Sequence, residues 1–107
     1  MENLIEIESV EQFDEKNKTG KVLVDFWAEW CAPCRMMLPV IDQLSQENKD
    51  VTFLKVNVDK VPELASRYGV KSIPQFNFLI EGEEVQKKLG TNSQSQMQEI
   101  LDNIVND

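Results

Sequence analysis

The two cysteines of this chain stand three positions apart, in the run Trp30-Cys31-Ala32-Pro33-Cys34. No other thiol and no histidine occurs anywhere in its 107 residues. On a helical turn, side chains at i and i+3 place their Cβ atoms about 5 to 6 Å apart, and a disulfide needs about 3.5 to 4.5 Å. A small adjustment of one turn closes or opens a bond between the two sulfurs, so reversible thiol-disulfide exchange is the chemistry this spacing suits. The first thiol would sit over the unpaired N–H groups at the start of a helix and the positive end of its dipole, which favour thiolate over thiol. Pro33 fits there because the first helical residues have no intrahelical use for an N–H.

The pair lies where Val22-Leu23-Val24-Asp25-Phe26-Trp27 gives way to a helix-compatible segment, 35–46. Residues 21–27 are rich in β-branched and aromatic types without clean alternation, which predicts a central strand buried on both faces. Asp25 is the exception in that strand, since an acid there is costly unless protonated or partnered. Met37, Leu38, Ile41 and Leu44 follow helical spacing, and Pro39 inside the run predicts a kink, with the helix ending near Asn48. Before this unit, Leu4-Ile5-Glu6-Ile7 reads as a short strand, and Ser9 with Gln12 as a capping box opening a short helix. After it, 51–58 reads as a strand. Asp59 is placed to cap a short helix with Pro62 in its first turn and Gly69 as its stop. Segments 75–80 and 84–89, joined by Glu81-Gly82-Glu83, predict an antiparallel hairpin. Ser93 opens a last helix carrying Met97, Ile100, Leu101 and Ile104 on one stripe.

Composition narrows the function classes. With 11 basic and 19 acidic residues the net charge is −8, which repels phosphate backbones, so no nucleic-acid partner is expected. No apolar run approaches the roughly 20 residues of a membrane span, and the segment beginning Met1-Glu2-Asn3-Leu4 lacks the basic start and apolar core of a secretion signal. A cytoplasmic location without membrane contact is the expectation. A Cys-x-x-Cys pair in a reducing compartment beside βα patterning points to redox chemistry rather than a structural framework.

Three separated motifs in order carry a family resemblance: Asp25-Phe26-Trp27-Ala28-Glu29-Trp30-Cys31-Ala32-Pro33-Cys34, then Lys55-Val56-Asn57-Val58-Asp59, then Ser72-Ile73-Pro74, with Gly82 and Gly90 following. This pattern resembles the thioredoxins over nearly the whole chain. The resemblance implies an α/β thioredoxin fold, a central mixed five-stranded sheet flanked by four α-helices, as a single domain over 1–107. It implies a protein-disulfide reductase in which Cys31 attacks a substrate disulfide and Cys34 resolves the mixed disulfide, leaving a Cys31–Cys34 bond. A lowered pKa of the Cys-x-x-Cys thiolate is a known property of thioredoxins themselves. Lowering a thiol pKa by about 1.5 units takes roughly 2 kcal/mol, and a helix terminus gives about 0.3 to 1. Hydrogen bonds from the Cys34 thiol and nearby N–H groups are expected to supply the rest.

The resemblance further implies that Asp25, paired with Lys55, serves as proton acceptor for Cys34. It implies that the Ile73–Pro74 bond is cis, and that the Ile73 backbone pairs with an extended substrate segment. Trp30, Ala32, Pro33, Pro74 and Gly90 complete an apolar rim for substrate, and Trp27 is a core aromatic beside it. No bound cofactor or metal is implied; electrons come from NADPH through a thioredoxin reductase, and the protein is a monomer. Ala32 stands where most thioredoxins have glycine, and Gln75 where threonine is common; the longer Gln75 is expected to alter docking of substrates or reductase. A disulfide oxidase or isomerase is the alternative, against which stands the absence of a histidine between the cysteines. A half zinc site lacks further Cys or His ligands. A non-enzymatic module using the same groove is a third class, compatible with the first.

Overall fold

The computed structural model describes residues 2–104; Met1 and residues 105–107, the outermost positions of the expected 1–107 domain, lie outside the described residues. The elements are β1 (Leu4–Glu6), α1 (Val10–Lys16), β2 (Lys21–Trp27), α2 (Ala32–Met36), α3 (Leu38–Glu47), β3 (Val51–Asn57), α4 (Pro62–Arg67), β4 (Gln75–Ile80), β5 (Glu83–Leu89) and α5 (Gln94–Asn103). The five strands form one sheet in the order β1-β3-β2-β4-β5, with β2 in the centre. β3 runs parallel to β1 and β2, whereas β4 runs antiparallel to β2 and β5. This is the mixed sheet of the thioredoxin fold.

Burial on both faces explains why β2 lacks alternation. Val22, Val24 and Phe26 join Phe13 of α1 and Leu64 of α4 in one cluster. Leu23 joins Ile41 and Leu44 of α3 and Met97 and Leu101 of α5 in the other. Every phenylalanine of the chain is buried in one of these two clusters.

The expected kinked helix is split into α2 and α3 at Met37, which ends one and starts the other. Pro39 is the cause, since it cannot donate to the Arg35 carbonyl four residues back and its ring crowds that turn. The flanking four-helix arrangement holds with α2 and α3 as the two limbs of one broken helix.

The two serine caps act differently from one another. At α1 the Ser9 side chain accepts from the Gln12 N–H, but Gln12 Oε1 reaches the Glu8 N–H at 2.7 Å, so the box is not reciprocal. At α5 it is reciprocal: Ser93 Oγ accepts from the Gln96 N–H and Gln96 Oε1 from the Ser93 N–H. Ser93→Ala is expected to cost about 1 kcal/mol, read as a fall of a few degrees in Tm by thermal unfolding at pH 7. The hairpin turn is two residues, Glu81 and Gly82, both at positive φ (52° and 82°), and Glu83 already belongs to β5. That geometry matches the right-handed twist of the flanking strands.

Candidate active site

Cys31 is the N-cap of α2 and Cys34 lies one turn inside it, with their sulfurs joined in a disulfide and their Cα atoms 5.2 Å apart. The Cys34 N–H points at Cys31 Sγ, 3.3 Å away. In the reduced protein that donor would stabilise a Cys31 thiolate. The helix itself contributes less than its sequence pattern suggests, because the break at Met37 leaves α2 only five residues long. The directed Cys34 N–H, rather than a long dipole, is the local source of stabilisation. Both cysteines are buried in this oxidised state, with Cys31 4% and Cys34 1% exposed, so the expected asymmetry keeps its direction but is small here.

The loop ahead of α2 is held by side-chain and backbone bonds. Arg35 donates to the Glu29 carbonyl at 2.7 Å, and the Cys31 N–H to the Ala28 carbonyl at 3.2 Å. Trp30 is 69% exposed, and its indole N–H donates to Asp59 Oδ2 at 2.8 Å. Asp59 is therefore not a helix cap: α4 is capped by Val61 without any side-chain bond. The Asn57 side chain accepts from the N–H groups of Asp59 and Lys60, turning the chain so that the Asp59 carboxylate faces Trp30. Sequence reasoning missed this pairing because an acid followed by a proline in a first turn has the same signature as a cap.

Beside the disulfide runs the segment before β4. The Ile73–Pro74 peptide bond is cis, and the Ile73 carbonyl oxygen lies 3.8 Å from Cys31 Sγ. The Gly90 N–H donates to the Pro74 carbonyl at 2.9 Å, bringing the chain after β5 alongside, and Gly90 takes a positive φ of 76° that suits glycine. Ala32 and Pro33 are exposed on the first turn of α2. A cleft of about 340 Å³ opens between Trp30, Val58, Ala65, Val70 and segment 71–73. Cys31, Cys34, Trp30, Ile73, Pro74 and Gly90 are thus gathered at one end of the sheet by β2, α2 and the two loops flanking β4 and β5.

Gln75 departs from its expected role. Its side chain is 2% exposed and donates inward to Asn77 Oδ1 at 2.8 Å, so it cannot meet a docking partner directly. Ala32 needs no glycine-like backbone, since among described non-glycine residues only Glu81 has a positive φ.

Asp25 is buried in β2, and neither of its oxygens has a hydrogen-bond partner among the described residues. Desolvation pushes its pKa up to about 7, against the attraction of Lys55 and with the repulsion of Glu6. Lys55 sits opposite Asp25 in the β2/β3 register. It does not form the expected ion pair: its Nζ lies 3.6 Å from Glu6 and 4.7 Å from the centre of the Trp27 ring. Trp27 is half-buried and packs against the cysteine cluster. Among the described residues no group of three or more His, Cys, Asp or Glu side chains is placed to hold a metal ion.

A protein-family model described as thioredoxin matches residues 5–103. The chain belongs to the thioredoxin family. Thioredoxin of Rickettsia bellii is 43% identical over 83 residues, covering 77% of this chain and 79% of that one. Thioredoxin of Chlamydia muridarum is 37% identical over 98 residues, covering 92% and 96%. Among solved structures, Plasmodium falciparum thioredoxin superposes with a TM-score of 0.87 at 31% identity, covering 94% of this chain and all of that one. Oxidised mitochondrial thioredoxin 3 of Saccharomyces cerevisiae gives 0.87 at 29% identity, covering 94% and 95%. As a thioredoxin carrying a Cys31–Cys34 disulfide, this protein is a thiol-disulfide oxidoreductase with protein-disulfide reductase activity. No described helix of this thioredoxin is long and apolar enough to cross a membrane.

Proposed function

We propose that this thioredoxin acts as a cytoplasmic monomer, one domain over 1–107, which reduces protein disulfides through a mixed-disulfide intermediate. The Cys31 thiolate attacks one sulfur of the substrate disulfide; a Cys31–substrate bond forms and the other substrate sulfur leaves as a thiolate. Cys34 then loses its proton to the Asp25 carboxylate, directly or through water. Its thiolate attacks Cys31 Sγ, expelling the second substrate thiolate and forming the Cys31–Cys34 bond. Two electrons pass from the dithiol to the substrate. NADPH returns them through a thioredoxin reductase, and the protein itself binds no cofactor.

The observation that carries this reading is the placement of Cys31 Sγ, at the α2 N-cap, 3.3 Å from the Cys34 N–H and 3.8 Å from the Ile73 carbonyl. A backbone carbonyl that close to the reacting sulfur supports pairing of the Ile73 backbone with an extended substrate strand, which gives affinity with little sequence demand. Trp30, Ala32, Pro33, Pro74 and Gly90 form the rim around it. The apolar cleft beside Trp30 suits a side chain flanking the substrate cysteine. An unpartnered Asp25 carboxyl titrating near 7 fits a proton acceptor at cytoplasmic pH, because a general base works best with its pKa near ambient pH.

The test is turnover of a protein disulfide, first with dithiothreitol and then with NADPH and a thioredoxin reductase. Wild type is expected to turn over with both electron sources. A rate no higher than that of the electron source alone would refute the proposed reductase cycle.

A further inference from the structure

Glu6, Lys55 and Asp25 make one row across the sheet. β1, β3 and β2 are parallel neighbours whose register sets Glu6 opposite Lys55 and Lys55 opposite Asp25. One ammonium therefore has two carboxyl groups within its reach, an exposed one on the edge strand and a buried one on the central strand. It sits with the exposed one. Lys55 Nζ lies 3.6 Å from Glu6 Oε1 and over the Trp27 ring, while both Asp25 oxygens lack a hydrogen-bond partner among the described residues. Lys55 borders a cleft of about 250 Å³ lined also by Leu4, Leu38, Pro39, Ile41 and Asp42, so its side chain is not packed in on that side.

We propose that Glu6 is a positioning residue for the resolving step: it holds the Lys55 ammonium on the β1 side of the sheet and so withholds that cation from the Asp25 carboxyl. The inference rests on the reading of Asp25 as acceptor of the Cys34 proton. A carboxylate closely paired with an ammonium is stabilised in its charged form and is a poor base at neutral pH. Holding the cation away keeps Asp25 basic enough to take a proton.

The other charged groups around this row do not substitute for Glu6. From α3, Asp42 lines the same cleft as Lys55, but among the described residues Lys55 makes its ion pair with Glu6 and not with Asp42. From α2, Arg35 is turned to the Glu29 carbonyl, and Cys34 does not titrate in the oxidised protein because its sulfur is held in the disulfide. β4 sets the apolar Phe76 opposite Asp25.

The experiment is a titration of the Asp25 carboxyl by carbon NMR in the full-length oxidised protein. It compares wild type, Glu6→Gln, Lys55→Met, Glu6→Gln with Lys55→Met, and Glu63→Gln. The last removes an exposed acid from α4, which packs on the opposite face. Glu6→Gln is expected to lower the midpoint by about one pH unit as Lys55 closes on Asp25. Glu63→Gln is expected to leave it in place, and the Glu6→Gln shift is expected to fall by at least half when Lys55 is already Met. An unchanged midpoint in Glu6→Gln, or a shift that persists in full without Lys55, would overturn the inference. The kinetic arm follows the pH dependence of mixed-disulfide resolution in wild type and Glu6→Gln. If the NMR midpoint moves and the kinetic profile does not, Glu6 places Lys55 but has no part in the resolving step, and it is the reading of Asp25 as acceptor that fails.

Discussion

Asp25→Asn is expected to make the oxidised protein more stable than wild type above pH 7, by up to about 4 kcal/mol. The cause is the burial that raises the Asp25 pKa from 3.8 to about 7 without giving either oxygen a partner. In the unfolded chain the same carboxyl ionises freely at its ordinary pKa. Below that value both states hold the proton and Asp25 costs nothing by ionisation. Between 3.8 and about 7 the unfolded state has released its proton and the folded state has not, so stability falls as pH rises. Above about 7 the folded state carries a buried, unpaired carboxylate and the loss is complete. An amide at this position does not ionise. Urea unfolding of both proteins at pH 3.5 and pH 8 reads the difference: the gap should be small at the lower pH and several kcal/mol at the higher. A gap that does not change with pH would mean that folding leaves the Asp25 pKa at its unfolded value, which would contradict the cost of its burial. The same substitution is expected to slow mixed-disulfide resolution, which is the role that would justify so costly a residue.

Removal of either sulfur is expected to end turnover, but at different points in the cycle. Cys31→Ser should reduce protein disulfides at least about 10³-fold more slowly than wild type, a loss of about 4 kcal/mol or more of transition-state stabilisation. A hydroxyl at the α2 N-cap is not ionised at neutral pH, whereas the thiolate is the nucleophile. Cys34→Ser should also fail to turn over, yet it keeps the attacking sulfur and lacks the one that releases substrate. It should therefore accumulate a covalent adduct through Cys31, seen by mass spectrometry as one substrate chain per protein and reversed by dithiothreitol. Turnover by Cys31→Ser at the wild-type rate would remove Cys31 from the reaction.

Local pattern in the chain made much of this legible. The β-branched and aromatic composition of 21–27, interrupted only by Asp25 after Lys21, marked a central strand with the observed bounds, because burial on both faces leaves no polar alternation. The cysteine spacing, with a proline between, marked the strand-to-helix junction where the disulfide sits. What could not be read depends on which side chains the assembled sheet brings together. Glu6 is an acid on a short edge strand with no local signal, and only the parallel register of β1, β3 and β2 sets it opposite Lys55. Asp59 looked like a cap because its neighbours in sequence suit one, while its partner Trp30 lies 29 positions away. The position of Gln75 after Pro74 suggests contact with docking partners, but every residue of β4 is buried and the Gln75 side chain bonds Asn77, two residues on along the same face. Pro39 foretold a bend, and the full break at Met37 follows from the lost Arg35 acceptor pairing.

The sharpest measurement is limited alkylation of the fully reduced wild-type protein at pH 7, with the labelled cysteine assigned by peptide mass and the rate followed from pH 5 to 9. Cys31 should be labelled first, with a midpoint below the ordinary thiol value of about 8.5, and Cys34 only later and at higher pH. Equal labelling of the two sulfurs at every pH, or labelling of Cys34 ahead of Cys31, would contradict the assignment of Cys31 as attacking thiolate and Cys34 as the resolving thiol.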